Sequence, residues 1–114
     1  MSDTKTREEL VDEAAQNIGI VSNGMSLSAE DSARIDAKID PLIARLSSDG
    51  ICNVDDDDAI PSAWFAAIGR ILANICGPAY GSPINREAML ADERELRRTT
   101  AVRPSYEVSK VEMV

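Results

Sequence analysis

The chain has 114 residues and carries a formal net charge of −8, with 20 Asp and Glu against 12 Lys and Arg. This excess of acidic residues excludes a protein that binds nucleic acid over its whole surface, because phosphate binding needs clustered cations. The length fits one domain with one core, and the most apolar stretch, residues 63–77, is too short to span a bilayer.

The first predicted helix covers residues 7–18. Thr6 and Glu9 have the spacing of a capping box, in which the side chain of each residue accepts a hydrogen bond from the backbone amide of the other. Gly19 can adopt the left-handed conformation that closes the last turn. Apolar residues recur at helical spacing and form one face of this helix: Leu10, Val11, Ala14, Ala15 and Ile18.

A second helix is predicted from Ser28, a favoured N-cap residue, to just before Gly50. Its apolar stripe consists of Ile35, Ile39, Leu42, Ile43 and Leu46. Pro41 removes a helical hydrogen bond and clashes with the preceding turn. We therefore expect either a kink or a restart with Asp40 as cap and Pro41 in the first turn. Either form makes a helical hairpin with the first helix.

Residues 50–60 predict a loop, because they lack helical periodicity and include four adjacent aspartates, residues 55–58. A short extended piece could form at residues 51–54. The aspartates do not fit a calcium-binding EF-hand. A loop of that kind starting at Asp55 requires Gly at its sixth position and Glu at its twelfth, where this sequence has Ile60 and Ala66. We interpret the run as a solvated loop with its last carboxylates near the start of the third helix, where the helix dipole favours negative charge.

The third helix is predicted to begin with Pro61 in its first turn. Apolar residues cover much of its circumference and predict a central position: Trp64, Phe65, Ile68, Ile71, Leu72, Ile75 and Cys76. Gly69, unfavourable in a helix interior by about 1 kcal/mol relative to Ala, indicates the close approach of a neighbouring helix. Trp64 and Phe65 could mark a ligand pocket, but core packing is the favoured interpretation.

Ser82 and Pro83 are predicted to cap and begin a fourth helix that ends near Arg98. This helix is polar on most sides, so its core contact should be thin. We therefore expect an all-α fold, a small antiparallel bundle of four helices in residues 1–98 with an extended C-terminal arm in residues 99–114. Pro104 excludes helix in the arm, whose Val and Tyr residues favour an extended strand.

The C-terminal arm is the candidate binding element. Its apolar side chains gain too little from burial to offset the entropy lost on ordering the segment. We expect it to take up structure on a partner, for example by adding a strand to a sheet edge. The alternative is an ordinary frayed terminus. The predicted partner-binding residues are Val102, Arg103, Pro104, Tyr106, Val108, Val111 and Met113.

Catalysis and cofactor binding are not expected. The chain has no histidine, which removes Ser-His-Asp and Cys-His arrangements, and it has no glycine motif for phosphate or dinucleotide binding. Cys52 and Cys76 have no CxxC partner, so we predict two reduced structural thiols and no metal site. The first residues do not resemble a secretory signal, which favours a protein that stays in the cell where it is made.

Several helix-boundary patterns resemble those of the head-to-tail adaptor family of tailed bacteriophages. The resemblance covers about residues 4–98. It rests on Glu9-Leu10-Val11, Ala14-Ala15, Ile18-Gly19-Ile20, Leu27, the helix from Ser28, Ser48-Asp49-Gly50-Ile51, and the run from Leu72 to Tyr80, in which an apolar helix leads into a Pro-x-Tyr turn. Pro41 and residues 55–58 depart from the family pattern.

The resemblance implies a structural virion protein of the neck, made in the host cytoplasm. Such an adaptor forms a ring of twelve copies beneath the portal protein, extends the DNA channel without sequence-specific DNA binding, and presents a surface to the next tail or neck protein. In that family a C-terminal arm commonly reaches the portal or a neighbouring copy, a role that here falls to residues 99–114. The alternative is a small intracellular helical regulator, antitoxin-like, whose tail folds on a protein target.

Overall fold

The computed structural model describes residues 4–21 and 26–101, with only the backbone for residues 100 and 101. The elements in chain order are β1 (Thr4–Lys5), α1 (Arg7–Ile18), α2 (Ala29–Asp36), α3 (Ile39–Ser48), β2 (Ile60–Pro61), α4 (Ser62–Cys76), a 3-10 turn (Gly77–Tyr80) and α5 (Arg86–Ala101). Helices dominate, and the strands form a single two-residue pair within the described part of the chain. The predicted all-α class is confirmed.

The start of α1 is fixed by the predicted capping box. Thr6 Oγ1 accepts a hydrogen bond from the Glu9 amide at 3.1 Å, and Glu9 Oε1 accepts one from the Thr6 amide at 2.8 Å. Gly19 closes the helix in the left-handed conformation, with φ of 91°. Ser28 caps α2 as predicted, its hydroxyl accepting from the Asp31 amide at 3.1 Å. These boundaries follow from hydrogen bonds within a few residues.

The second predicted helix is divided in two, which confirms the restart rather than the kink. A turn at residues 37–38 separates α2 from α3, and Pro41 lies in the first turn of α3, where its missing amide costs least. The expected cap was wrong, because Lys38 rather than Asp40 precedes the helix and makes no side-chain cap. The Asp40 carboxylate instead accepts a hydrogen bond from Arg7 at 2.8 Å.

A short ladder joins the starts of α1 and α4. Thr4 pairs with Pro61 and Lys5 with Ile60 in antiparallel register, so extended backbone forms here rather than at residues 51–54. Pro61 consequently lies just before α4, with an extended backbone, and not in its first turn as predicted. Beyond the ladder, Lys5 Nζ lies 5.8 Å from the centre of the Phe65 ring. The two helices therefore leave the ladder side by side.

Helix α4 is central, as predicted from its apolar residues. It packs on α1 and on α5, and α2 packs on α1. Its buried residues are Trp64, Ala67, Ile68, Gly69, Ile71, Leu72, Ala73 and Cys76. A Cβ atom at Gly69 would lie 2.7 Å from Glu13 Cγ, which confirms the close approach of a neighbouring helix.

The helix directions refine the predicted antiparallel bundle. Arg7, at the start of α1, binds Asp36 at the end of α2, so these two helices are antiparallel. Arg70 in α4 binds Asp92 and Asn74 binds Asn85, so α4 and α5 are antiparallel as well. Helices α1 and α4 run in the same direction, because Lys5 lies over Phe65 near their starts and Ile18 lines one cavity with Ala73 and Asn74 near their ends.

Helix α5 begins three residues later than predicted and runs to Ala101 rather than Arg98. Ser82 does not cap it, because the helix begins only at Arg86. The Ser82 amide instead donates to the Gly77 carbonyl at 2.9 Å and closes the 3-10 turn. The cap is Asn85, whose Oδ1 accepts from the Ala88 amide at 3.0 Å. The Asn74 side chain in turn holds both backbone groups of Asn85, each at 2.8 Å.

The core contact of α5 is thin, as expected from its polar sequence. Among the described side chains of this helix, Leu96 is fully buried and Asp92 is 8% exposed, whereas Leu90 is 54% exposed. Anchoring of α5 therefore depends on Leu96, on the partly buried Met89 and on ion pairs.

We predict that Leu96→Ala destabilises the protein by about 2 to 5 kcal/mol, because it removes buried methyl groups and leaves a cavity. Leu90→Ala, the same change on the exposed side of the same helix, should alter stability by less than about 0.5 kcal/mol. Chemical denaturation followed by circular dichroism measures both. Equal losses for the two variants would contradict the assigned orientation of α5.

Candidate functional site

The sequence-predicted binding residues lie outside the described residues. They are Val102, Arg103, Pro104, Tyr106, Val108, Val111 and Met113. Residues 99–101, which the sequence assigned to the C-terminal arm, form the last residues of α5. The helical part of the chain therefore extends at least to residue 101.

A second feature, which sequence reasoning missed, is a cluster of carboxylates around Arg7. Arg7 Nε lies 2.6 Å from an Asp36 carboxylate oxygen, and Nη1 lies 2.8 Å from Asp40 and 2.6 Å from Asp57. The Arg7 amide also donates to Asp58 Oδ1 at 3.3 Å. This Arg7 cluster joins the start of α1 to the end of α2, the start of α3 and the aspartate loop.

The protonation equilibria of the Arg7 cluster reflect these contacts. Hydrogen bonds from Arg7, followed by its positive charge, hold the pKa of Asp40 below its ordinary value. Hydrogen bonds to Asp36 and Asp40 raise the pKa of Arg7, which is ionised at any pH at which proteins fold. One cation thus offsets the repulsion among carboxylates that come from three separate segments.

The aspartate loop, residues 55–58, has a structural role that the sequence did not predict. Its last carboxylate reaches the start of α1, where Asp58 Oδ1 accepts a hydrogen bond from the Arg7 amide. The dipole of α1 favours negative charge at this position, because the start of a helix carries a partial positive charge. Asp56, Asp57 and Asp58 place carboxylate oxygens within 4.8 Å of one another, but Asp57 is already paired with Arg7.

Arg70 on α4 links α4 to α5. Its Nε lies 2.8 Å from Asp92 Oδ1, and its Nη2 lies 2.9 Å from Glu95 Oε1. Arg45 on α3 binds Glu93 at 3.0 Å. The acidic side chains Asp92, Glu93 and Glu95 are therefore turned toward cations of neighbouring helices.

A cavity of about 330 Å³ lies beside the Arg70 pair, between the end of α1, α4 and the segment before α5. Asn17, Asn74 and Ser82 contribute polar groups, and Ala73 and Ala88 contribute apolar surface. Its ionisable residues, Arg70 and Asp92, already bind each other. Within the described residues, no buried side-chain nitrogen or oxygen lacks a hydrogen-bond partner.

The cysteines and the aromatic pair belong to the core. Cys52 and Cys76 are buried free thiols, as predicted. Burial raises the pKa of Cys52 to about 11 and also raises that of Cys76, which disfavours the reactive thiolate. Trp64 is buried and Phe65 packs against the core, which confirms core packing as their role.

The outer face of α5 is basic. We define it by side chains that recur at helical spacing and are exposed: Arg86, Leu90, Arg94, Arg97 and Arg98. Glu87 is exposed on the same side, while the other acids of α5 face inward to Arg45 and Arg70. The spacing of these arginines in the sequence was a usable signal, but it does not reveal which side of the helix is buried.

A groove follows the seam between α1 and α2. Its more enclosed stretch has a volume of about 360 Å³ and is lined by Glu8, Asp12 and Gln16 of α1 together with Val21 and Leu27. The groove continues past Glu8 into a wider stretch of about 510 Å³ that reaches Asp36 and Asp58. We call this the α1–α2 groove. Carboxylates line its walls and apolar side chains contribute to its floor.

Comparisons with models of known protein families, with characterised proteins and with solved structures find no match to this chain. Among the described residues, no helix combines the length and the apolar character that crossing a membrane requires. The candidate site is therefore defined by geometry alone. It consists of two exposed surfaces of opposite charge, the basic outer face of α5 and the acidic α1–α2 groove.

We predict that Arg7→Met destabilises the protein by about 2 kcal/mol, because the partly exposed carboxylates of Asp36, Asp40 and Asp57 then remain close together without a cation. Arg34→Met is the matched control, since the carboxylates near Arg34 lie 3.9 Å away and its side chain is 46% exposed. That control should lose about 1 kcal/mol or less. Denaturant titration of both variants measures the difference, and losses of equal size would argue against the Arg7 cluster.

A pH dependence follows from the lowered pKa of Asp40. A depressed pKa in the folded state means that the contribution of ionised Asp40 is present above the unfolded-state pKa, about 3.9, and is lost as the pH falls through the folded-state pKa. We expect the melting temperatures of wild type and Asp40→Asn to differ at neutral pH and to converge on acidification below about pH 4. A difference that persists unchanged to about pH 2 would exclude this contribution.

Proposed function

We propose that this protein is a head-to-tail adaptor of a tailed bacteriophage, a structural protein of the virion neck. In this proposal, copies of the chain form a ring, expected to contain twelve, beneath the portal protein. The ring extends the DNA channel and links the capsid to the next tail or neck protein. The protein acts by assembly, carries out no reaction and needs no cofactor. DNA passes nearby without being read.

The sequence resemblance to the adaptor family supports this proposal over residues 4–98. Its short patterns fall on element boundaries of the fold: Gly19 and Gly50 have φ of 91° and 70° after helices, and Gly77–Tyr80 forms the turn that follows α4. A small helical domain is also the architecture that the resemblance implies. The family proposal itself rests on the sequence.

The observation that carries an assembly role is the segregation of charge on the surface. The body is acidic, with ten acids against five bases in residues 1–50, whereas the outer face of α5 presents arginines around Leu90. Complementary charged surfaces steer protein chains together and select the correct partner. Leu90 and Ile84, 54% and 43% exposed, add apolar area to the same end of the molecule.

We predict that deletion of residues 102–114 leaves the helical circular dichroism nearly unchanged and abolishes association with the portal protein encoded by the same genome. The deletion starts at residue 102 because α5 extends to Ala101. Co-sedimentation with purified portal measures binding. Retained binding by the truncated chain would exclude the C-terminal arm as the portal contact, and loss of the helical signal would count against an independent domain.

Electron microscopy of the purified protein with and without portal tests the adaptor role directly, because rings are visible in images. A strictly monomeric protein under both conditions would reject the proposal. The position of the gene distinguishes the alternative: neighbouring portal or capsid genes support the adaptor, and a paired toxin gene supports the antitoxin-like regulator.

A further inference from the structure

The outer face of α5 is an exposed helix surface that combines one leucine with arginines. Arg86 lies one turn before Leu90 and Arg94 one turn after it, so this apolar centre is flanked by cations along the helix. Its arginines are exposed while the acids of the inner side bind Arg45 and Arg70. A partner for this face must offer carboxylates around an apolar depression.

The α1–α2 groove has that chemistry. Glu8 and Asp12 are exposed one turn apart on α1, and Val21 and Leu27 are partly buried apolar residues in the same groove. Neither Glu8 nor Asp12 is engaged in the Arg7 cluster or in the capping box. Their charges are therefore available to a cationic side chain from outside.

The two surfaces belong to different helices. The groove runs along α1 and α2, whereas the outer face lies on α5, which packs on α4. Asp12, Leu90 and Arg94 are all exposed in the single chain, so each surface is open to a second copy.

We propose that the outer face of α5 of one copy docks into the α1–α2 groove of the next copy, with Leu90 facing Val21 and Leu27 and with Arg94 facing Asp12. This inference rests on the proposed function, in which copies assemble, and it names the surfaces that meet. Because the two surfaces differ, the contact is heterologous and repeats from copy to copy. Such a contact closes into a ring when the rotation between copies allows it.

A second copy is favoured over nucleic acid as the occupant of the α5 face. The chain has a net charge of −8, so a phosphate backbone approaching α5 would be repelled by the rest of the molecule. Leu90 at the centre of the basic face suits an apolar depression better than a row of phosphates. The same acidic surface that repels DNA attracts the arginines of another copy.

A charge-swap experiment tests the contact. Arg94→Glu reverses a charge on the α5 face, and Asp12→Lys reverses one in the groove. Sedimentation velocity of the full chain at rising concentration should show association that weakens with added salt, and each single variant should weaken it by roughly tenfold or more, because attraction is replaced by repulsion. The variant that carries both changes keeps the wild-type net charge and should regain association.

Two further samples make the test specific. An equimolar mixture of the two single variants should associate. The negative charge that Arg94→Glu places on α5 is complementary to the positive charge that Asp12→Lys places in the groove. The control Ala44→Glu/Ser47→Glu changes two exposed residues of α3 and lowers the net charge as much as Arg94→Glu does. It should associate like wild type. Circular dichroism of every variant should match that of wild type.

Several outcomes would overturn the inference. Sedimentation velocity can detect association with a dissociation constant of up to about 1 mM. Wild-type protein that remains monomeric at about 1 mM would therefore reject the proposed contact. Single variants that associate normally, or a double variant that is not rescued, exclude these surfaces. Loss of binding to a 30-base-pair duplex DNA in Arg94→Glu, with self-association unchanged, would assign the face to nucleic acid.

The same variants separate this inference from the proposed function. If Arg94→Glu forms rings on the portal as well as wild type does, the docking surfaces are wrong and the adaptor role stands. If wild type forms no ring with portal but the charge swap restores self-association of the chain, the docking surfaces stand and the adaptor role falls.

Discussion

The arrangement of the first sixty residues depends on the ion pairs that the guanidinium of Arg7 makes. It binds carboxylates from the end of α2, the start of α3 and the aspartate loop, with the three closest N to O distances between 2.6 and 2.8 Å. An arginine suits this task because its planar group presents five donors in fixed directions and remains charged. Without that cation the acidic segments would repel one another.

The ladder between β1 and β2 adds a second constraint at the same end of the molecule. It fixes the starts of α1 and α4 beside each other, and α4 packs on both α1 and α5 at the centre of the core. Helix α5 is left to pack on one side of α4 through Leu96 and ion pairs. Its opposite side stays exposed, and this is the surface that we propose docks onto a second copy.

The candidate surfaces were only partly predictable. The arginines of residues 86–98 and the acids of α1 are visible in the sequence, and helical spacing groups them into stripes. The sequence directed attention to residues 102–114 instead, which lie outside the described residues. The burial of Leu96 and the pairing of Asp92 and Glu93 with α4 and α3 decide which side of α5 faces outward, and neither is a local property.

By itself, the sequence determined the helices, their caps at Thr6 and Ser28 and the apolar stripes of the core. These features depend on hydrogen bonds and spacings within a few residues, which a linear pattern records. The tertiary structure alone decided the cap of α5, the shared direction of α1 and α4, and the Arg7 cluster. The partners of Arg7 lie 29 to 51 residues away along the chain, and only the fold can bring such distant charges together.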